Sequence, residues 1–383
     1  MHRCPSCGEA LQFPSETGTP PPDGGMPADG AAAGIWRYRS LLPALDDELI
    51  RARVFLGEGG TPLLRSGVLE RELGCAQVWL KDESRNPTGS FKDRGTAAGV
   101  AFLAALGFDA VGTVSTGNMA RSVAAYAARA EMRSDIWVGA ATPPHKLAPV
   151  AVHGARLMRF DAPYGDIYTA SLEWSARAAV PFINSDSALR IEGQKTIAYE
   201  IVEQLGGRAP DWLLIPTSSG GNFSAVCKGL QEAAAGGWYT GRCRPVAVQT
   251  AECDPIVRGW QAGGEEPVEV PPPNTIAGAI ANPSPPSGAR VLRWLRSSDG
   301  CAIAIADEEI AAAQQHMARA TGRFVQPAAA APLAALERLR AKGVIGAEDV
   351  VVLLLTGAGS NAPAPEIELG EARSLDEAFA ELG

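Results

Sequence analysis

Residues 86–95 read NPTGSFKDRG, and the most reactive group among them is the amine of Lys92. Asn86, Pro87, Thr88 and Gly89 have the composition of a tight turn, with glycine supplying freedom in φ. Ser90 is placed to cap a helix running through FKDRGTAAGVAFLAAL, so Lys92 falls in its first turn. A cation there opposes the helix dipole. Two readings stay open. Lys92 is a surface lysine paired with Asp93 or Asp82, or it is an amine held neutral or bonded as an imine, as amine nucleophiles are.

Three further loops are rich in small residues. VSTGNMARS opens a helix at Asn118, IPTSSGGNFS opens one at Asn222, and LLLTGAGSN ends the last apolar run. Small residues at a strand-to-helix turn let backbone N–H groups approach an anion at the positive end of the helix. They also simply make turns. Two such loops before helices suggest two anionic groups to hold, and a phosphate and a carboxylate would fit. An imine-forming lysine, a phosphate-cradling SSGGN loop and a separate anion loop together describe a pyridoxal phosphate site.

These loops need strands and helices to hold them. Apolar runs predict strands at 76–82, 110–116, 134–140, 155–160, 181–185, 212–218, 244–250 and 349–357. Between them, stretches such as NMARSVAAYAARAE, IYTASLEWSARAA, GQKTIAYEIVEQL, NFSAVCKGLQEAA and DEEIAAAQQHMARA have helical character. PAAAAPLAALERLRAKG adds a proline at its start and a glycine at its end, the expected asymmetry of a helix. The alternation predicts an α/β architecture with largely parallel sheets. Ligands in such sheets sit at the carboxyl ends of the strands, where these loops lie.

Bulk properties narrow the partners. The 383 residues suffice for about two or three compact units. A net charge of −9 argues against nucleic acid or an anionic membrane as partner. Runs such as GTAAGVAFLAALG and VVVLLLTG are interrupted or too short to span a bilayer, which takes about 20 residues. Seven sparse cysteines fit a reducing compartment, so a soluble, cytoplasmic protein is expected. His2, Cys4 and Cys7 offer at most three metal ligands where structural zinc takes four. They read as plain thiols or a remnant knuckle, and no metal is expected. Residues 14–34, rich in Pro, Gly and Ala, read as a mobile linker.

LGEGGTPLL (56–64), VWLKDESRNPTGSFKDRG (78–95), STGN (115–118), IEGQKTIAYEI (191–201), SGGN (219–222) and LTGAG (355–359) resemble, in order, the threonine synthase family of fold type II pyridoxal phosphate enzymes. The resemblance implies a tryptophan synthase β-like fold, with two doubly wound parallel-sheet domains and the cofactor between them. A large domain of 55–92 plus 188–361 would enclose a small one of 93–187, flanked by an N-terminal segment 1–54 and a tail 362–383. It also implies a homodimer.

By the same resemblance, Lys92 carries pyridoxal 5'-phosphate as an imine and Asn118 bonds the cofactor's phenolic oxygen. Ser219, Gly220, Gly221 and Asn222 hold its phosphate, and Thr356 meets the pyridine nitrogen. Ser115, Thr116 and Gly117 bind the substrate carboxylate. Asn184, Ser185 and Arg190 match a pocket for a substrate phosphate, for which Arg suits by its fork of donors, and Lys146 is a further candidate. The implied reaction turns O-phosphohomoserine and water into threonine and phosphate.

The chain departs from the family pattern at four places. Met119 stands at a usual hydroxyl residue beside the substrate, Gln326 at a usual Glu, GAGSNAP at a usual Gly-Leu-Lys ending, and Ser187 and Ala188 at a usual Asn-Pro. These keep open elimination or replacement on another phosphorylated or activated amino acid, such as O-phosphoserine in the manner of cysteate synthase, or a specialised-metabolism substrate. A non-enzymatic cofactor- or partner-binding protein ranks last, because Lys92, Asn118 and Thr356 are all present.

Overall fold

Among the described residues of the computed structural model, which are 11–14, 33–43 and 45–363, nine strands form two sheets. The larger contains β1 (Leu63–Arg65), β2 (Gln77–Asp82), β6 (Trp212–Pro216), β7 (Arg244–Thr250), β8 (Cys301–Ile305) and β9 (Val350–Leu355). Its order is β1-β2-β9-β6-β7-β8. All its pairs are parallel except the β1–β2 edge. The smaller is a parallel sheet of β3 (Ala110–Val114), β4 (Arg133–Gly139) and β5 (Arg156–Phe160). The chain thus leaves the large sheet after β2 and returns to it at β6. No helix among the described residues is long and apolar enough to cross a membrane. His2, Cys4, Cys7, most of the 14–34 stretch and the tail from 364 lie outside the described residues.

Strands β6 and β9 are buried along their whole length, as parallel strands covered on both faces must be. The helix Pro327–Ala341 packs on β6, β7, β8 and β9. Its alanines at 328–331, 334 and 335 are buried and short enough for close approach to the sheet.

The helices Lys92–Ala105, Ala188–Gln204 and Gly221–Ala235 pack in sequence against one another. They meet almost backbone to backbone. A Cβ on Gly193 would lie 2.0 Å from the Arg94 carbonyl oxygen, so the glycine in EGQKTIAYEI sets how closely the Lys92 helix is approached. Buried charges lock the same contact. Arg94 bonds Glu83 and Glu200, and Lys81 bonds Glu200.

Four local expectations change. The stretch 181–185 is not a strand and makes only a bridge from Phe182 to Gly112. Strands β1 and β8 carry no clear mark in the sequence: one is three residues long, the other half-buried with no large side chain beyond two isoleucines. The Lys92 helix is capped by Phe91, not Ser90, whose hydroxyl instead accepts from Lys92 N at 3.4 Å. Residues 34–41 form a 3-10 helix with Ile35, Trp36, Tyr38 and Leu41 buried, so order begins well before residue 55.

Candidate active site

The residues of NPTGSFKDRG divide the labour of holding one amine. Asn86 accepts from Gly59 N and donates to Glu83, both at 2.9 Å. Asp93 turns back to accept from the Thr88 backbone N and hydroxyl, both at 2.6 Å, closing the turn. Phe91 N donates to the Thr356 carbonyl at 3.1 Å and Ala358 N to the Gly89 carbonyl at 2.8 Å. The Lys92 turn is therefore stitched to the loop after β9, at the carboxyl edge of the large sheet. Lys92 is the first residue of its helix, with its amine 4.5 Å from the centre of the Phe91 ring.

Burial pushes the Lys92 amine down to about 7, and the Arg190 charge adds to the effect. No carboxylate among the described residues pairs with it. The surface-pair reading with Asp93 or Asp82 therefore fails: Asp93 is spent on Thr88, and Asp82 bonds Ser84 and lies 3.4 Å from Arg323. An amine with a pKa near neutrality is a nucleophile and a base at physiological pH.

The second loop, 219–222, ends β6 and opens the Gly221–Ala235 helix. Gly220 has φ +85°, and a Cβ there would lie 2.9 Å from the Ser287 carbonyl oxygen. A Cβ on Gly221 would lie 2.3 Å from the Ser185 carbonyl oxygen. Around this helix start, both amide atoms of Asn222 and the hydroxyls of Ser224 and Ser287 are buried with no hydrogen-bond partner in the protein. Buried polar groups nearly always have partners, so this cluster fits an anion held against a helix N-terminus. The phosphate of pyridoxal phosphate is such an anion, and the buried neutral amine of Lys92 fits its aldehyde.

The third loop, 115–118, ends β3 and opens the Asn118–Arg129 helix. Ser115 Oγ accepts from Gly117 N at 3.2 Å, while Gly117 is exposed and Thr116 half-buried, so this loop faces outward. Asn118 meets Gln326 and Asn361. Thr356 is buried at the end of β9.

Other sequence-selected residues lie further back. Asn184 is spent inside the protein: its Oδ1 accepts from Val114 N at 2.9 Å and its Nδ2 donates to Ser171. It thereby anchors the end of β3, while Ser185 abuts Gly221. Arg190 is buried beneath the Lys92 helix, donating to Thr96 Oγ1 at 2.7 Å and to the Lys92 carbonyl at 3.2 Å. Met119 packs into the hydrophobic core with Ala120 and Val123. Lys146 is exposed on the Pro144–Ala151 helix. Asn282, Ser287, Arg121 and Asn361 reach the site without having been singled out in the sequence. Asn282 donates to Ser219 Oγ at 2.8 Å and Ser287 N to the Ser219 carbonyl at 3.0 Å. Nothing near them in the chain marks them, since each is defined only by a distant partner.

Residues 54–357 match the family model of pyridoxal-phosphate dependent enzymes. The chain is 37% identical to a threonine synthase of Methanocaldococcus jannaschii, over 88% of this chain and 83% of that one. It is 39% identical to a threonine synthase of Mycobacterium bovis, over 86% and 88%. Among solved structures, it resembles an L-serine ammonia-lyase from the fungus Rhizomucor miehei (TM-score 0.68, 25% identity, 78% of this chain and 93% of that). A bacterial threonine deaminase, from T.th., is similar (TM-score 0.67, 26% identity, 80% and 94%).

The fold is that of the fold type II pyridoxal phosphate enzymes, and the chain belongs to the pyridoxal-phosphate dependent enzyme family. Within that family it is a threonine synthase-like lyase, and its cofactor is pyridoxal 5'-phosphate.

Proposed function

We propose that the enzyme converts O-phosphohomoserine and water to threonine and phosphate. The observation that carries a lyase mechanism here is the buried, carboxylate-free amine of Lys92, pushed down to about 7. When bound, pyridoxal phosphate supplies an electron sink for negative charge at the substrate Cα. Lys92 Nζ binds the cofactor and, once released from it, is the base that takes the protons from Cα and Cβ. The backbone of Ser115, Thr116 and Gly117 orients the substrate carboxylate at the outward-facing helix start. Asn118 donates to the phenolic oxygen, and Ser219 to Asn222 hold the cofactor phosphate. Thr356 offers the ring nitrogen a hydroxyl, which, unlike a carboxylate, does not favour a protonated ring. Asn184 positions the carboxylate loop through Val114, and Arg190 supports Lys92 from below. In this reading 93–187 is a nested domain, supported by the chain leaving the large sheet after β2 and returning at β6.

One observation favours a second reading, elimination or replacement on another phosphorylated amino acid such as O-phosphoserine. The cation expected to hold a substrate phosphate, Arg190, already has both Nη atoms engaged by the protein. Phosphate release from each substrate by cofactor-loaded enzyme separates the two. The first reading expects release from phosphohomoserine with threonine formed, and a loss of about 10²–10⁴-fold or more in Lys92→Ala. Release from phosphoserine alone moves the assignment to the second.

A further inference from the structure

Asn118 sits between two other side-chain amides, and their order is not arbitrary. Arg121 Nη1 donates to Asn361 Oδ1. Asn361 Nδ2 donates to the Thr88 carbonyl at 3.0 Å, the Gly89 carbonyl at 3.2 Å and Asn118 Oδ1 at 3.0 Å. Asn118 Nδ2 in turn donates to Gln326 Oε1 at 3.0 Å. Gln326 is buried and pinned at the start of its helix, its backbone N donating to the Gly357 carbonyl at 3.0 Å.

A side-chain amide can face either way, and only its partners decide which end is oxygen. Here the decision is forced from outside. A guanidinium can only donate, so Asn361 turns its oxygen to Arg121. Backbone carbonyls can only accept, so Asn361 turns its nitrogen to Thr88 and Gly89. That nitrogen also faces Asn118, which must present its oxygen. The Asn118 nitrogen then points away, giving one hydrogen to Gln326 and leaving the other unused within this chain of bonds.

We infer that Arg121, Asn361 and Gln326 are positioning residues that hold the Asn118 amide in one orientation, so that its remaining N–H is a fixed donor to the cofactor's phenolic oxygen. The relay joins the turn before Lys92, the start of the Asn118 helix and the loop after β9. It therefore sets this donor relative to the amine in the same stroke. Without it, Asn118 turns freely and presents its oxygen to an oxygen part of the time. The inference rests on the proposed role of Asn118 toward the cofactor.

The test is a double-mutant cycle read by cofactor affinity and by the visible absorbance of the bound cofactor across pH. Asn361→Ala and Gln326→Met should each weaken cofactor binding about fivefold, the fold-change of one hydrogen bond, and shift the pH at which the band changes. Both effects should vanish in an Asn118→Ala background, because the residue they act through is gone. Gln326→Glu keeps the acceptor and should retain the affinity of the unaltered protein. Thermal unfolding of the cofactor-free variants checks that each is folded. An Asn361→Ala effect of equal size with and without Asn118 would overturn the relay, making Asn361 a brace for the 88–89 turn alone. A protein with no Lys92-dependent band would instead overturn the cofactor reading itself, and the relay with it.

Discussion

Two lysines eleven residues apart are buried in opposite ways. Lys81 lies at the end of β2 with its amine on Glu200 at 2.6 Å, the Thr61 carbonyl at 2.7 Å and Gln204 at 2.9 Å. Burial lowers its pKa, but Glu200 pulls the other way. Glu200 is itself resisted by burial, yet Arg94 and Lys81 hold its carboxyl well below the ordinary range. Lys92 is buried with no carboxylate and with Arg190 beneath it, and its pKa falls to about 7. Burial with counter-charges fastens β2 to the Lys92 and Ala188–Gln204 helices. Burial without them makes a reagent. The fastening also matters to the reagent, since Arg94 is two residues from Lys92 and holds its helix in place.

The contrast between the two lysines can be broken at its paired end. Glu200→Gln leaves Lys81 and Arg94 buried without one of their counter-charges. It should destabilise the fold by about 3–5 kcal/mol, read as a lower urea midpoint at unchanged slope. A loss below about 1 kcal/mol would mean that the network is slack.

At the unpaired end, pH is the probe. In cofactor-free protein the unfolded chain keeps the Lys92 proton up to about 10.5, while the folded chain releases it above about 7. The unfolded state therefore binds more protons between these values, and stability rises with pH across that window. Lys92→Met should flatten this rise in thermal unfolding. Parallel profiles for the two proteins would show an ordinary amine.

The smallest effect belongs to the surface. His316 bonds Glu72 at 2.7 Å and Glu337 at 3.1 Å. Partial burial opposes its charge, but the two carboxylates win and raise its pKa. Its contribution is complete below the ordinary histidine pKa and is lost as pH rises through the raised one. Because the partners are largely exposed, His316→Gln should cost only about 0.2–1 kcal/mol at low pH and nothing at high pH. A loss as large as that of Glu200→Gln would erase the distinction between buried and exposed pairs.

Much of the site is written in short windows. The turn before Lys92, the helix it opens and the two anion loops each use neighbouring positions in the chain, and the structure keeps them together. The departures at Gln326 and in GAGSNAP look unrelated in the sequence. Yet Gln326 and Asn361 both close on Asn118, from far along the chain. Arg190 and Met119 failed in the other direction. Their side-chain types say phosphate ligand and substrate contact, but their helices turn one beneath Lys92 and the other into the core.

The sequence by itself determined the class of chemistry. Turn formation, helix starts and the presence of an amine depend on neighbours in the chain, and the apolar runs dictate parallel strands with loops at one edge. Only the tertiary structure decided which lysine is left unpaired and which way Asn118 points. A pKa near 7 requires carboxylates to be absent from a volume, and an amide's orientation requires partners from three segments at once. Neither condition exists until the chain has folded.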